Sequence, residues 1–228
     1  MTACGSNKMC CALAGVLFVL LETVLIAFVD KPLSQFLHII NAEYPALIFS
    51  FRAYTDLGKS VWYLWPSFVG LLLCLMLSHW QRIPAHRRVM LRFAWQAFGF
   101  FFACVALSGI VTDIIKPILG RARPVLLERQ GYYGFDPFTF QAAHNALPSG
   151  HATTGFAVAF ALTALWPRGR TWFIVFAIVI ALSRVMVNAH FLSDVVAGGA
   201  VGVLTAAVVQ NVFHRYGIFP IDATRPAR

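Results

Sequence analysis

Three short segments hold most of the residues that could do chemistry. They are Lys116-Pro-Ile-Leu-Gly-Arg-Ala-Arg123-Pro124, Pro148-Ser149-Gly150-His151, and Ser183-Arg184 followed by His190 and Asp194. Lys116, Arg123 and Arg184 supply permanent positive charge beside apolar sequence, where a cation is costly unless an anion pairs with it. Phosphate is the natural partner, because guanidinium groups match its oxygens bidentately. Ser149 directly precedes an apolar run and reads as a helix N-cap, whose neighbours offer backbone N–H groups to an anion at the positive end of the helix dipole. Two histidines could turn such a pocket into a catalyst. If the chain is helical there, His190 and Asp194 stand at i, i+4, so the carboxylate can fix the imidazole tautomer. A neutral imidazole can then attack phosphorus and form a phosphohistidine. His151 can protonate the departing oxygen and afterwards activate water. No helical His-Glu-x-x-His and no acidic cluster with metal spacing accompanies them, so no metal and no cofactor are expected; the basic residues take the place of a divalent ion.

These segments need elements that bring them together. Of 228 residues, 59% are hydrophobic and 12% charged, which excludes an ordinary soluble domain. Windows at Cys11–Val29, Val61–Leu77, Phe93–Thr112, Ala152–Trp166, Trp172–Val187 and Val195–Phe213 contain only Glu22 and Arg184 as charges. Each is long enough, or nearly so with its flanks, to cross a hydrocarbon core of ~30 Å. An all-α integral membrane protein follows, a bundle of six transmembrane helices forming one domain over residues 1–228. The last two windows as one helix would reach ~63 Å and overshoot the bilayer, so the chain must break at the polar cluster Asn188–Asp194.

Assigning loops alternately puts Lys8, Arg82, Arg87, Arg88, Arg92, Arg168, Arg170, Arg215, Arg225 and Arg228 on one side with the single acid Asp222. The opposite side mixes cations with acids. The positive-inside rule then makes both termini cytoplasmic and turns the three segments toward the extracytoplasmic side of a plasma (inner) membrane. A nucleic-acid partner is excluded, because the excess of 18 Lys plus Arg over 9 Asp plus Glu is spread among separate loops. The first window reads as a retained helix, since no small-residue cleavage site follows it. Cys74 and Cys104 lie inside spans, and Cys4, Cys10 and Cys11 on the cytoplasmic flank, so no disulfide framework is expected.

The pattern Lys-x6-Arg-Pro, Pro-Ser-Gly-His and Ser-Arg-x5-His-x3-Asp resembles the type 2 phosphatidic acid phosphatase (PAP2) superfamily, which includes lipid phosphatases, glucose-6-phosphatase and vanadium haloperoxidases. All eleven specified positions are filled in order between Lys116 and Asp194. The resemblance implies His190 as nucleophile, Asp194 as its partner, His151 as general acid, and Lys116, Arg123, Ser149, Gly150 and Arg184 as phosphate ligands. It further implies that Ser183 contributes to the phosphate site. The implied substrate is a membrane lipid bearing phosphate, with undecaprenyl diphosphate, phosphatidylglycerol phosphate, phosphatidate and lipid A phosphate as candidates. Phosphate transfer to a second lipid, or a lipid-phosphate binder without turnover, are the alternative readings; a soluble haloperoxidase does not fit this composition.

Other residues read more plainly. Arg121 is expected to anchor at the interface, and with Lys31, Arg52, Lys59 and Arg129 it belongs to a surplus of cations that favours a multiply charged headgroup. His144 is expected to be solvated, Glu22 to make a structural hydrogen bond inside its span, and Gly198 and Gly202 to permit close helix packing. The Asp30–Ser60 stretch, with Pro32 and Pro45, reads as re-entrant or interfacial. The charge bias predicts that a cysteine placed in the Gly131–Asp136 loop is labelled by an impermeant reagent on intact cells; labelling only after permeabilisation inverts the topology.

Overall fold

The computed structural model describes residues 3–80 and 83–219. Arg82, Asp222, Arg225 and Arg228 of the orienting charge bias, and the side chains of Cys4, Lys8 and Cys11, lie outside the described residues. Among the described residues no strand is present beyond an isolated antiparallel bridge between Arg121 and Phe135. Helix α1 (Ala3–Val24) passes through a π-helical turn, Leu25–Val29, directly into α2 (Asp30–Glu43). Helix α3 (Pro45–Asp56) turns into α4 (Val61–Ser78), and α5 (Ala85–Leu119) is the longest at 35 residues. The short α6 (Pro124–Gln130) sits in the long loop before α7 (Gly150–Leu165), followed by α8 (Arg170–Met186) and α9 (Leu192–Arg215).

Five stretches are long and apolar enough to cross a membrane: Ala12–Glu43, Ile48–Ser78, Ala85–Leu119, Pro167–Met186 and Leu192–Arg215. The sixth expected span, α7, is shorter at 16 residues, or ~24 Å. It lies in the centre of the bundle, packed by α5, α8 and α9. Its inner positions are small, Ala152, Gly155, Ala157, Ala159 and Ala161 among them, all buried. Small residues let helix backbones approach closely where lipid removes the usual hydrophobic driving force. Gly198 and Gly202 of α9 do this on α7: a Cβ on Gly198 would stand 2.5 Å from the Ser149 carbonyl oxygen, and one on Gly202 2.4 Å from that of Thr153. Thr112 of α5 donates a 3.1 Å hydrogen bond to Thr153, tying α7 on its other side.

The Asp30–Ser60 stretch, expected as re-entrant or interfacial, is two helices and a turn. Pro45 opens α3, where a missing N–H costs nothing, and Pro32 follows the π-helical turn that joins α1 to α2; both segments are helical. Ala12–Glu43 is 32 residues, or ~48 Å, so α2 carries the first helix beyond the hydrocarbon core. Helix α3 then packs back onto α8.

Glu22 also departs from expectation. Both of its carboxylate oxygens are buried without a hydrogen-bond partner, and it lies within electrostatic reach of Arg121, Asp30 and Asp194.

The α7–α9 contact sets a graded test of packing. Gly198→Val forces a side chain into the Ser149 carbonyl and is expected to destabilise by ~2–3 kcal/mol. Gly109→Ala, whose Cβ would meet nothing within 4 Å, should be neutral or slightly stabilising. Thermal melting in detergent separates the two, and equal melting shifts would refute the packing argument.

Candidate active site

The three motif segments meet at one end of the bundle, each at a helix terminus. Helix α5 delivers Lys116 in its last turn and stops at Gly120, whose φ of 60° caps the helix in the left-handed region. A Cβ at Gly120 would overlap the Asp136 carbonyl, so the close return of the long loop also requires glycine. Lys116 Nζ bonds Asp113 Oδ1 at 3.2 Å and lies 3.3 Å from where a Gly150 Cβ would be. Glycine at position 150 therefore leaves the start of α7 open to the ammonium.

Ser149 takes the N-cap position of α7 with extended backbone, but its hydroxyl makes no capping bond. Its backbone N–H donates to the Asp194 carbonyl at 2.8 Å, stitching the start of α7 to the start of α9. The buried Ser149 Oγ has no protein partner, and neither does the buried Nε of Arg123 or of Arg184. Buried polar atoms left unpaired are rare, and three basic or hydroxyl donors gathered this way suit an anion. Burial holds Arg123 below the ordinary guanidinium pKa, against the pull of Asp194.

His190 and Asp194 come together by a route different from the expected helix face. Helix α9 begins only at Leu192, after Phe191 as N-cap, so His190 precedes the helix. Asp194 at N3 reaches back and accepts the Phe191 N–H at 2.9 Å on Oδ2, the acidic half of a capping box. The same Oδ2 stands 3.4 Å from His190 Nδ1, an ion-pair distance at which Nδ1 makes no formal hydrogen bond. Nδ1 thus faces the carboxylate, and Nε2 is the ring nitrogen left for other partners. His190 is buried, and this burial lowers its pKa, opposed by Asp194 and reinforced by Arg184 and Arg123.

His151, in the first turn of α7, is within electrostatic reach of Arg184, His190 and Lys116. The α3–α4 turn packs against it: a Cβ on Gly58 would stand 2.8 Å from the imidazole, so only glycine lets the turn approach. Ser183 is placed differently from the other motif residues. Its single hydroxyl proton goes to the Ile180 carbonyl at 2.7 Å, leaving Thr55 as donor of the 2.8 Å bond between Thr55 and Ser183. The Ser183 side chain joins α3 to α8 beside Arg184 and is not presented with the unpaired donors. His144 is half-buried against Tyr132, with Nε2 3.8 Å from Asp136, in place of the solvated position expected.

Sequence reasoning missed the residue at the centre of the site's support. Arg121, expected at the interface, is 1% exposed. Its guanidinium donates to Asp194 Oδ1 and to Asp30 Oδ2, both at 2.6 Å, to Tyr133 at 3.1 Å, and to Ser193. The rings of Phe191, Phe135 and Tyr133 surround it at 4.9–5.8 Å. Burial opposes the Arg121 charge, but Asp194 and then Asp30 outweigh it and hold the pKa above its ordinary value. Arg121 is thereby withdrawn from the surplus of cations available to a headgroup. The available signals were an arginine two residues from another in Gly-Arg-Ala-Arg-Pro, and a lone acid, Asp30, closing an apolar window.

Among the described residues no group of three or more His, Cys, Asp or Glu side chains could hold a metal ion. A helical bundle of apolar spans with cations and two histidines at one end defines a membrane enzyme class. The sequence profile of the PAP2 superfamily matches residues 97–217, and the chain belongs to that superfamily. The lipid A 1-phosphatases of Rhizobium etli and Rhizobium johnstonii are each 42% identical to it over 122 residues. That region is 53% of this chain and 52% and 49% of those proteins, so the match spans about half the length of these curated relatives. The fold is shared with a crystal structure of a transmembrane PAP2-type phosphatidylglycerolphosphate phosphatase from Bacillus subtilis, at 19% identity and a TM-score of 0.59, covering 88% of this chain and 96% of that one. It is also shared with LpxE of Aquifex aeolicus, at 17% identity and a TM-score of 0.55, covering 80% and 95%. The chain is an integral membrane protein of this superfamily.

A titration checks the electrostatics. Because burial outweighs Asp194, the His190 imidazole is expected to remain neutral down to a pH below ~6.5, the value for a free histidine. NMR of labelled histidine in micelles measures this midpoint, and a value above the free one would contradict the geometry.

Proposed function

We propose that this chain is a lipid phosphatase that cleaves a phosphate from the headgroup of a membrane saccharolipid, with the 1-phosphate of lipid A as the favoured substrate. The observation that carries the reading is the set of unpaired buried donors, Arg123 Nε, Ser149 Oγ and Arg184 Nε, beside a buried histidine held by a carboxylate. In the proposed reaction the phosphate is gripped by Lys116, Arg123, Arg184, Ser149 and the backbone at Gly150. His190 Nε2 attacks phosphorus, the bond from phosphorus to the lipid oxygen breaks, and His151 gives that oxygen its proton. His151 then takes a proton from water, whose oxygen attacks the phosphohistidine; inorganic phosphate leaves and His190 is free again. The cations compensate charge on the phosphoryl oxygens, the largest demand of this chemistry. The site is proposed to face the extracytoplasmic side, with both termini in the cytoplasm.

The saccharolipid is favoured for two reasons. The lipid A 1-phosphatase relatives share the half of the chain that bears the motifs. A cleft of about 650 Å³ also opens beside Arg184, lined by Arg52, Thr55 and Asp56 from α3. This is within the usual range of ligand pockets and gives a bulky polar headgroup room and a cation to meet.

Phosphate release from a panel of lipid phosphates in detergent tests the reading. Lipid A is expected to be the best substrate, and His190→Ala to lower turnover at least ~10³-fold. Arg52→Ala should raise KM for lipid A about tenfold while leaving phosphatidate unaffected. Binding of lipid A without release of phosphate would make the protein a binder, and recovery of the phosphate on an added lipid acceptor would make it a transferase.

A further inference from the structure

The Arg121 cluster reaches outside the region matched to the family. Asp30, at the junction of the π-helical turn and α2, is 1% exposed, and Asp194 and Ser193 are fully buried. Asp30 Oδ1 accepts the Ser193 N–H at 3.1 Å, and Asp30 Oδ2 accepts the Ser193 hydroxyl as well as Arg121. Tyr133, which accepts from Arg121, donates its own proton to the Ile26 carbonyl at 2.6 Å. A residue preceding the family-matched part by more than sixty positions is thus bonded to the first turn of α9, where Asp194 sits.

Asp194 divides its two oxygens between two tasks. Oδ1 receives Arg121, and Oδ2 receives the Phe191 N–H and faces His190. Three contacts leave the carboxylate no rotational freedom, so the direction it presents to Nδ1 is set by Arg121 on the far side. Charge is divided too. A free carboxylate beside His190 would favour imidazolium, whose ring nitrogens both carry protons and cannot attack. A carboxylate already paired with a guanidinium favours it less.

Resting on the phosphatase reading above, we propose that Arg121, held by Asp30, is a positioning residue for the reaction. It fixes the direction of the Asp194 carboxylate and offsets its charge, keeping His190 a neutral nucleophile with Nε2 free. The groups facing His190 are Asp194 of α9, Arg184 of α8, Arg123 of the loop after α5 and His151 of α7. Those facing Arg121 are Asp194, Asp30 of α2, Tyr133 of the long loop and Glu22 of α1. Arg184 and Arg123, the cations acting on His190, are unchanged in both variants below, so the difference between them comes from Arg121, Asp30 and Asp194.

Removing either end of the relay should move His190 in opposite directions. In Arg121→Met the Asp194 carboxylate loses its cation, imidazolium is favoured, and the His190 midpoint rises by at least ~0.5 pH unit. In Asp30→Asn the whole Arg121 charge falls on Asp194, and the midpoint drops. Turnover of lipid phosphate in Arg121→Met should fall about 10²-fold with KM within about threefold, as expected when a nucleophile is misdirected and substrate binding is kept. The midpoint is read by NMR of labelled histidine in micelles of the full chain, and kcat and KM by phosphate release. Opposite shifts support the proposal. Shifts of the same sign, unmoved midpoints with lost activity, or wild-type kcat in both variants overturn it. Should Arg121→Met not fold, Asp30→Asn decides alone: a lower midpoint supports the relay, and an unmoved or higher one ends it. If the wild type releases no phosphate from any lipid, the phosphatase reading fails, while the imidazole titrations still show whether Arg121 and Asp30 set the charge of His190.

Discussion

The organisation of this end of the molecule depends on one buried cation. Arg121 stands between Asp30 and Asp194 at 2.6 Å from each, almost fully out of solvent. Burying two carboxylates in a medium of low dielectric is costly without a cation between them, and removing one partner of a buried pair commonly costs ~3–5 kcal/mol. The constraint is therefore mutual: the first helix, the long loop and α9 can each be in place only if the other two are. Aromatic rings from the same loop and from the start of α9 complete the enclosure and keep water from replacing the bonds.

From that centre outward, the site follows from how helices begin and end. Lys116 ends α5, Ser149 to His151 begin α7, Arg184 ends α8, and Asp194 begins α9. The N-terminus of α7 turns the positive end of its dipole toward this region, and Lys116 and Arg184 offset the negative ends of α5 and α8, so the converging termini suit an anion. The small residues of α7 and α9 set the distance between two of these ends, because Gly198 lies directly against the Ser149 carbonyl. Helix packing and the geometry of the motif-bearing end are thus one arrangement, in which a methyl group at position 198 would displace the turn at Ser149.

Much of this was legible in the sequence because the chemistry is local. The first two motifs set a charge or an imidazole close to a Gly at a helix boundary, Gly120 after α5 and Gly150 at the start of α7, and the third spans the break between two apolar windows. The short α7 was legible as an apolar helix, and its small residues suit its place at the bundle centre. What sequence could not separate was Arg121 from Arg123, two cations on one short loop. Residues two apart in an extended backbone share a face, so spacing alone treats the two alike; what singles out Arg121 is its bond to Asp30, ninety-one positions away. The His190–Asp194 pair was legible as a spacing but not as a geometry, since whether position 190 belongs to the helix depends on where the N-cap falls. Asp30 to Ser60 was legible as a segment apart from the simple spans, but its helices α2 and α3 were not, because they depend on packing against α8 and on the continuation of α1.

Transfer of the phosphoryl to His190, the step proposed for this site, can be observed directly. A lipid substrate labelled with radioactive phosphate, mixed with the detergent-solubilised protein and quenched in base within a turnover, should leave an acid-labile, base-stable label on the peptide containing His190. The label should be absent from His190→Ala. Label on another residue, or phosphate released by the wild type with no covalent label at any quench time, would contradict it.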